Sequence, residues 1–358
     1  MTIFIIIFIL VIIGVQFWSI RVALKGISYD YRLSKKLVEI DEPTELISTI
    51  TNESRRLIPF IRMIETLPKG IITLNRNVFI RENAFEADDL SYNSSIYMTP
   101  NSQLERKLKL SFTKRGCYIF KGAELRGGDF LGFTDHREKY LKEREVVVYP
   151  QLLKSARLEQ IMGGFIGDLS VRRFIMEDPI LTVGTREYTG REPLKQMSWK
   201  HTARTAQMMV KQFDYTTEMV VTVFLDVSAV KGKTLTDDQF ENCYSLARTV
   251  CQHLEQQRIP FEFVTNTITR GVDYQQSRSA QNLGQTHMRT IMEQLGRADY
   301  GTSVTYEAVI EQLLVSTDRN HSTIIITPQK DANKEQLAQK LRVKTTGILL
   351  FIFGEEFE

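Results

Sequence analysis

Residues 219–226 read MVVTVFLD, an apolar run that ends in a single carboxylate. A strand buried on both faces of a parallel sheet has this composition, because helices cover both faces of such a sheet. Two similar runs follow at residues 322–327 (STIIIT) and 347–353 (GILLFIF). Residues 237–257, between the first run and the second, carry apolar side chains at three- and four-residue spacing. Strands that alternate with helices predict an α/β, Rossmann-type domain over residues 181–358.

The upstream half has a different pattern. Residues 39–150 contain short apolar runs that are separated by turn residues, and several alternate, as in Lys107-Leu108-Lys109-Leu110-Ser111-Phe112. This pattern predicts an all-β sandwich domain. Residues 151–180 contain Gly163, Gly164 and Gly167, which favour a connector with only a short helix.

The amino-terminal run is long, uncharged and apolar. Residues 2–20 (TIFIIIFILVIIGVQFWSI) are enough to span a bilayer of about 30 Å as a helix, and they lack the basic start and small-residue site of a cleaved signal peptide. We therefore predict a transmembrane anchor over residues 1–20 that contacts the lipid bilayer through residues 2–20. Residues 21–38 form a basic juxtamembrane linker, with five basic residues against one acid. The positive-inside rule then predicts a single-pass protein of the cell membrane with soluble domains in the cytoplasm.

Composition excludes several functional classes. The net charge of +3 is close to neutral, no basic stripe is interleaved with aromatic residues, and no nucleic-acid partner is expected. The five histidines are scattered, and no nucleophile, zinc-protease, P-loop or dinucleotide motif occurs, so we expect no enzyme and identify no small-molecule substrate. Three cysteines without a C-x-x-C motif are typical of a reducing compartment.

One segment, together with shorter motifs in the upstream half, resembles a known family, and the resemblance covers nearly the whole chain. The segment contains Gly184-Thr185-Arg186-Glu187-Tyr188-Thr189-Gly190-Arg191-Glu192-Pro193, then Ser198-Trp199-Lys200, Ala203-Arg204 and Met209-Val210-Lys211-Gln212-Phe213. This pattern is similar to that of a bacterial membrane-anchored family named only as a domain of unknown function (number fifty-eight). The resemblance implies an anchor, usually of two helices, an immunoglobulin-like sandwich and a degenerate von Willebrand A-like domain. It also implies an encoded neighbour, a MoxR-type AAA+ ATPase. This chain departs from the pattern in having one long apolar run.

The resemblance also implies a candidate cation site at the carboxyl end of the parallel sheet. Asp226, Ser228 and Thr302 match its oxygen ligands, whereas Val230 and Pro328-Gln329-Lys330 replace others. Mg²⁺ is the cation to consider, because it prefers oxygen ligands in octahedral array. So few charged ligands favour instead a structural role for Asp226, which would cap the following segment, and no cofactor.

The basic side chains of the family segment have two interpretations. Arg186 and Arg204 could receive a carboxylate, a phosphate or an acidic partner surface, since guanidinium groups make planar bidentate contacts. Alternatively, they form Arg–Glu pairs that fix the segment, with Trp199 as an anchor in the core. We favour the structural interpretation for Trp199 and Tyr188 and leave both open for the two arginines.

Taken together, these features predict a membrane-anchored cytoplasmic scaffold or adaptor for protein interactions. It would work with a MoxR-type AAA+ ATPase in protein maturation or complex assembly. The predicted partner surface is the rim of the sheet, where Asp226, Ser228 and Thr302 lie near Lys231, Lys233 and Lys330. A divalent-cation-dependent adhesion module is the alternative within binding proteins, and an uncharacterised hydrolase is the alternative among enzymes.

Overall fold

The computed structural model describes residue 14 and residues 24–75, 80–82, 89–128, 135–175, 182–213, 220–271, 277–317, 321–345 and 347–352. The chain divides into two compact units. The first consists of Met1–Gln151, Thr269–Gln275 and Met292–Asp299, and the second of Leu152–Ile268, Gln276–Ile291 and Tyr300–Glu358.

The predicted fold class and location need a correction. In the described ranges no helix is long and apolar enough to cross a bilayer, and strands hold more of the chain than helices do. This finding contradicts the fold class with an amino-terminal transmembrane helix, and with it the single-pass location in the cell membrane. Residues 2–20, on which both predictions depended, lie outside the described residues apart from Gly14.

The first unit is a β-sandwich. Its strands are β1 (Ile27–Leu33), β2 (Leu37–Glu39), β3 (Thr44–Asn52), β4 (Ile58–Pro68), β5 (Ile71–Thr73), β6 (Ile80–Glu82), β7 (Asp89–Met98), β8 (Ser102–Phe112), β9 (Gly116–Gly128) and β10 (Asp135–Tyr149). A four-stranded sheet has the order β1-β3-β8-β5, and a six-stranded sheet has the order β2-β10-β9-β4-β7-β6. Strand β1 and the first two residues of β2 lie in the predicted linker of residues 21–38. Ile27 and Tyr31 of β1 are buried. The charged residues of β1 obscured this strand pattern in the sequence.

Apolar side chains from both sheets form the core of the sandwich. Leu46 and Leu108 come from the four-stranded sheet, and Phe120 and Val146 come from the six-stranded sheet. A buried carboxylate also links the sheets. Glu65 on β4 accepts a hydrogen bond from Tyr29 on β1 (2.9 Å) and forms a salt bridge with Arg106 on β8.

The second unit begins with a long helix and contains the family segment. Helix α1 (Ala156–Ile175) is followed by β11 (Thr182–Glu187), a 3₁₀ turn (Leu194–Gln196), α2 (Trp199–Thr205) and β12 (Met209–Phe213). The three glycines do not interrupt α1, because Leu158, Met162 and Leu169 recur at helical spacing and are buried. Strands β11 and β12 pair in an antiparallel arrangement.

A four-stranded parallel sheet forms the centre of the second unit. Its strands are β13 (Val220–Leu225), β14 (Phe261–Thr265), β17 (His321–Thr327) and β18 (Gly347–Ile352). Their order in the sheet is β14-β13-β17-β18. The connecting elements are α3 (Asp237–Gln256), β15 (Thr267–Thr269), α4 (Gln285–Arg297), β16 (Ala298–Thr302), α5 (Tyr306–Ser316) and α6 (Ala332–Lys344). Every residue of β13 is buried, which agrees with its apolar composition.

Helix capping fixes where the connecting helices begin. Thr236 and Gln239 form a reciprocal capping box at the start of α3, while the side chains of Thr305 and Asp331 cap α5 and α6. Because Asp331 caps α6, Lys334 lies in the first turn of that helix.

Candidate functional site

The carboxyl ends of β13, β14 and β17 meet at one edge of the parallel sheet. Asp226 follows β13, Asn266 follows β14, and Thr327 ends β17. The parallel register aligns Leu225 with Thr265 and with Ile326, so the three polar residues come together. Sequence patterns had predicted Asp226 at this edge but had missed Asn266 and Thr327.

The Asp226 carboxylate is fully buried and accepts five hydrogen bonds. Its Oδ1 accepts from the Ser228 backbone N–H (2.9 Å), the Ser228 hydroxyl (2.6 Å) and the Asn266 amide (2.7 Å). Its Oδ2 accepts from the Thr327 hydroxyl (2.8 Å) and the Lys334 ammonium (2.7 Å). A carboxylate has about four lone-pair sites, so Asp226 has no capacity left for another ligand.

Lys334 is a third residue of this site that the sequence patterns did not predict. Its side chain is 7% exposed, and its Nζ donates to Asp226 Oδ2 and to the backbone oxygens of Ser228 (2.9 Å) and Gln329 (3.3 Å). Nζ also lies 5.3 Å from the centre of the Tyr306 ring, a favourable cation–π distance. The ammonium group therefore neutralises the carboxylate inside the protein.

The contacts of Lys334 bear directly on the implied cation site. An ammonium group 2.7 Å from Oδ2 would repel a metal ion bound to that oxygen, and the other carboxylate oxygen is saturated by hydrogen-bond donors. Thr302 is exposed at the end of β16, and its neighbour Ser303 donates from its backbone N–H to the Asn266 carbonyl (2.8 Å). These residues do not fit Mg²⁺.

Burial and the Asp226 charge shift the pKa values of nearby groups. Burial raises the pKa of the Cys243 thiol to about 12, and Asp226 adds to this shift because a thiolate would lie near its negative charge. The same two causes raise the pKa of Tyr306 above its ordinary value. Both groups therefore stay neutral near pH 7.

The predicted rim lysines lie on two of the loops that the buried centre joins. Lys231 and Lys233 are exposed on the loop after β13, where Gly232 adopts a positive φ of 83°. Lys330 is exposed on the loop after β17, with its Nζ 4.0 Å from a carboxylate oxygen of Glu335. The backbone N–H of Val230 donates to the Gln329 side chain (3.1 Å), which joins the two loops.

The structure contradicts the structural interpretation of the family segment at one residue, Trp199. Arg186 pairs with Glu192 at 2.6 Å, as a structural Arg–Glu network requires, and Thr189 and Arg186 lower the pKa of Glu192 to about 2. Trp199, however, is 65% exposed, so its predicted role as a core anchor is wrong. Met197 and Val210 fill the core position instead, and Arg204 is exposed.

A serine and a histidine also meet in this segment. The Ser198 hydroxyl lies 3.0 Å from Nδ1 of His201, a contact that the three-residue spacing at the start of α2 produces. Ser198 is buried, at 7% exposure, whereas His201 is exposed. Sequence analysis had treated the two residues as neighbours in sequence only.

Comparisons with known proteins add little about function. No family model matches the chain, and no curated protein matches it. Among solved structures, a cohesin module from the family 33 glycoside hydrolase of Clostridium perfringens ATCC13124 is similar at 15% identity, over 34% of this chain and 96% of that chain, with a TM-score of 0.25. A type II cohesin domain from the cellulosome of Acetivibrio cellulolyticus gives 11% identity, 34% and 95% coverage, and a TM-score of 0.25. A CARDB domain from Pyrococcus furiosus gives 12% identity, 34% and 91% coverage, and a TM-score of 0.23. At these scores, the likeness carries no argument about what this chain does.

Proposed function

We propose that this chain is a protein-interaction module, an adaptor or scaffold, whose partner is a MoxR-type AAA+ ATPase in protein maturation or complex assembly. The partner class comes from the family resemblance of residues 184–213. The observation that carries the interaction role is the internal neutralisation of Asp226 by Lys334, with exposed lysines on the loops around it. This arrangement supports a preformed docking surface better than a reaction centre.

The buried centre would hold the docking loops in place before a partner arrives. Asp226, Asn266 and Lys334 bond the loop after β13 to the loops after β14 and β17. Loops that are already ordered lose less conformational entropy on binding, which favours affinity. The positive rim would speed association with an acidic surface, and salt would weaken this effect because exposed charges are screened over about 8 Å at physiological ionic strength.

The adhesion-type alternative requires a bound divalent cation. The Lys334 ammonium and the donors around Asp226 act against that binding mode, because they already satisfy the carboxylate. We therefore place cation-dependent adhesion below the metal-independent adaptor.

The hydrolase alternative rests on one observation, the Ser198–His201 contact of 3.0 Å. A serine nucleophile needs an accessible hydroxyl and a base that a third group orients. Ser198 is buried, and in the part of the chain that the structure describes no carboxylate is hydrogen-bonded to His201. A fluorophosphonate probe should leave Ser198 unlabelled. Labelling that disappears in His201→Gln would favour the hydrolase.

Capture of a purified MoxR-type AAA+ ATPase by the full chain tests the adaptor proposal. The variant Lys231→Glu/Lys233→Glu/Lys330→Glu reverses the rim charge and should weaken capture at least about tenfold at low salt. Its matched control is Lys107→Glu/Lys109→Glu/Lys139→Glu, which makes the same change in net charge at exposed positions of the sandwich. Equal capture by both variants and the wild type would contradict the proposed surface.

A further inference from the structure

Three large apolar side chains of the family segment are exposed to solvent. Leu194 is 70% exposed, Trp199 is 65% exposed and Met208 is 56% exposed. Single exposed apolar residues are ordinary on protein surfaces, but a group of them, with tryptophan among its members, is typical of an interaction site. The exposure of these three side chains therefore indicates a binding surface.

The backbone fixes the positions of these residues. An isolated antiparallel bridge joins Met197 to Val210, and the backbone N–H of Ser198 donates to the Met209 carbonyl at 2.8 Å. Trp199 directly follows Ser198 in the chain and Met208 directly precedes Met209, so both residues adjoin this hydrogen-bonded stretch of backbone. The Thr202 hydroxyl accepts from the Met209 N–H at 3.0 Å and ties α2 to β12. Hydrogen bonds to β12 therefore hold the backbone that carries the exposed Trp199.

Basic residues accompany the exposed apolar group. Lys195, Lys200 and Arg204 are exposed, and Lys200 and Arg204 are four residues apart in α2, so they share a face of the helix. Within the described ranges no carboxylate lies at salt-bridge distance from these three, whereas Arg186 is already paired with Glu192. We call Leu194, Trp199 and Met208, with these three basic residues, the Trp199 surface.

The charge of the Trp199 surface restricts what can bind to it. A symmetric contact with a second copy of the chain would bring the same positive surface against itself, which is unfavourable. A nucleic-acid partner does not agree with a whole-chain charge of only +3. An acidic protein segment that also carries apolar side chains complements both features of this surface.

We propose that the Trp199 surface binds an acidic segment of a partner protein, with aromatic or aliphatic side chains of that segment packed against Trp199 and Met208. The carboxylates of the segment would pair with Lys195, Lys200 and Arg204. This inference rests on the proposed interaction role, but it assigns a surface separate from the lysine rim, so each can fail alone.

A labelled peptide provides the test. The probe is a fluorescein-labelled synthetic peptide in which Glu pairs alternate with Phe and Leu, titrated with the full chain and followed by anisotropy. A peptide with Lys in place of Glu is the charge control. Trp199→Ala should weaken binding about 30-fold, the loss expected for a central aromatic anchor. Trp199→Phe should keep most of the affinity, and Lys195→Glu/Lys200→Glu/Arg204→Glu should abolish binding.

The rim variant Lys231→Glu/Lys233→Glu/Lys330→Glu separates this inference from the proposed function. It should bind the acidic peptide as the wild type does, while its capture of the ATPase weakens at least about tenfold at low salt. If both charge-reversed variants lost peptide binding equally, nonspecific charge attraction would explain the binding, and its assignment to the Trp199 surface would be wrong.

Trp199 emission in a Trp18→Phe background should shift to the blue with the acidic peptide. A shift with phosphatidylglycerol vesicles but not with the peptide would also overturn the assignment.

Discussion

At the scale of single residues, the buried Lys334–Asp226 pair should matter most for the stability of the second unit. Both side chains are withdrawn from water, and each satisfies the charge of the other at 2.7 Å. Removing one partner of a buried ion pair typically costs about 3–5 kcal/mol, because the remaining charge has no compensation. We therefore expect Lys334→Met to lower the free energy of unfolding by about that amount in urea denaturation.

A double variant separates the charge from the packing. Lys334→Met/Asp226→Asn removes both charges and should recover part of the lost free energy, since no buried charge is left unpaired. Lys330→Met, at an exposed position of the same rim, should change stability by less than about 0.5 kcal/mol. A Lys334→Met variant no less stable than Lys330→Met would contradict the described pair.

The cysteines provide a second prediction at this scale. Burial raises the pKa of Cys117 and of Cys243 to about 12, and it also raises the pKa of Cys251. Only the thiolate is nucleophilic, so iodoacetamide at pH 8 should modify the three thiols far more slowly in the native chain than in urea. Mass spectrometry after timed quenching would measure this. Fast modification of Cys243 in the native chain would contradict its burial.

The same shift predicts how stability changes with pH. A thiol whose pKa is higher in the folded chain than in the unfolded chain keeps its proton longer when folded. Its contribution is fully present below the unfolded value of about 9 and is lost as the pH rises toward the folded value of about 12. Chemical denaturation should therefore show falling stability across this alkaline range. Replacing Cys243 by Ala should reduce the slope.

Only two of the five residues of the buried centre could be predicted from the sequence, for a physical reason. Asp226 and Ser228 could be predicted because a carboxylate at the end of a wholly apolar strand is conspicuous. Lys334 could not, since a lysine in a helix is ordinarily solvated and only the tertiary structure buries it. Trp199 shows the opposite error, because a tryptophan is expected in the core and here is exposed.

At the scale of elements, the glycines of β9 and α1 have opposite roles. Gly122 on β9 has a φ of 109°, and a Cβ built there would lie 2.1 Å from the Tyr140 carbonyl oxygen, next to a bulge in β10. Gly122→Ala should therefore destabilise the sandwich by at least about 2 kcal/mol through strain and overlap. Differential scanning calorimetry would measure the lower unfolding temperature.

Gly163 in α1 is the matched control for Gly122. A Cβ there would meet no atom within 4 Å, and alanine favours a helix over glycine. Gly163→Ala should thus raise stability by about 0.5–1 kcal/mol. If both substitutions had the same sign, the described backbone at one of the two positions would be wrong. The contrast also explains why α1 was predicted as a broken connector: glycine in sequence indicates flexibility, but the buried residues on one face keep the helix continuous.

At the scale of the whole molecule, the two compact units are not contiguous in sequence. Each compact unit is assembled from three separate stretches of the chain, and helix α4 begins in the second unit and ends in the first. Composition changes along a chain only detect contiguous domains, so they could not reveal this exchange. The order of strands and helices after residue 219 was predictable, because their periodicity is strong and local.

The unfolding temperature of the whole chain should not respond to divalent cations. A ligand present at 100 times its dissociation constant stabilises a protein by about 2.7 kcal/mol, which would raise the unfolding temperature by several degrees. Lys334 already compensates the Asp226 carboxylate, so millimolar Mg²⁺ or Ca²⁺ should leave the unfolding temperature unchanged relative to a choline chloride control of equal ionic strength. In Lys334→Met the ammonium is absent, and the same cations should then raise the unfolding temperature. A rise in the unfolding temperature of the wild type that disappears in Asp226→Asn would mean that a cation displaces Lys334. That result would favour the adhesion-type function over the metal-independent adaptor.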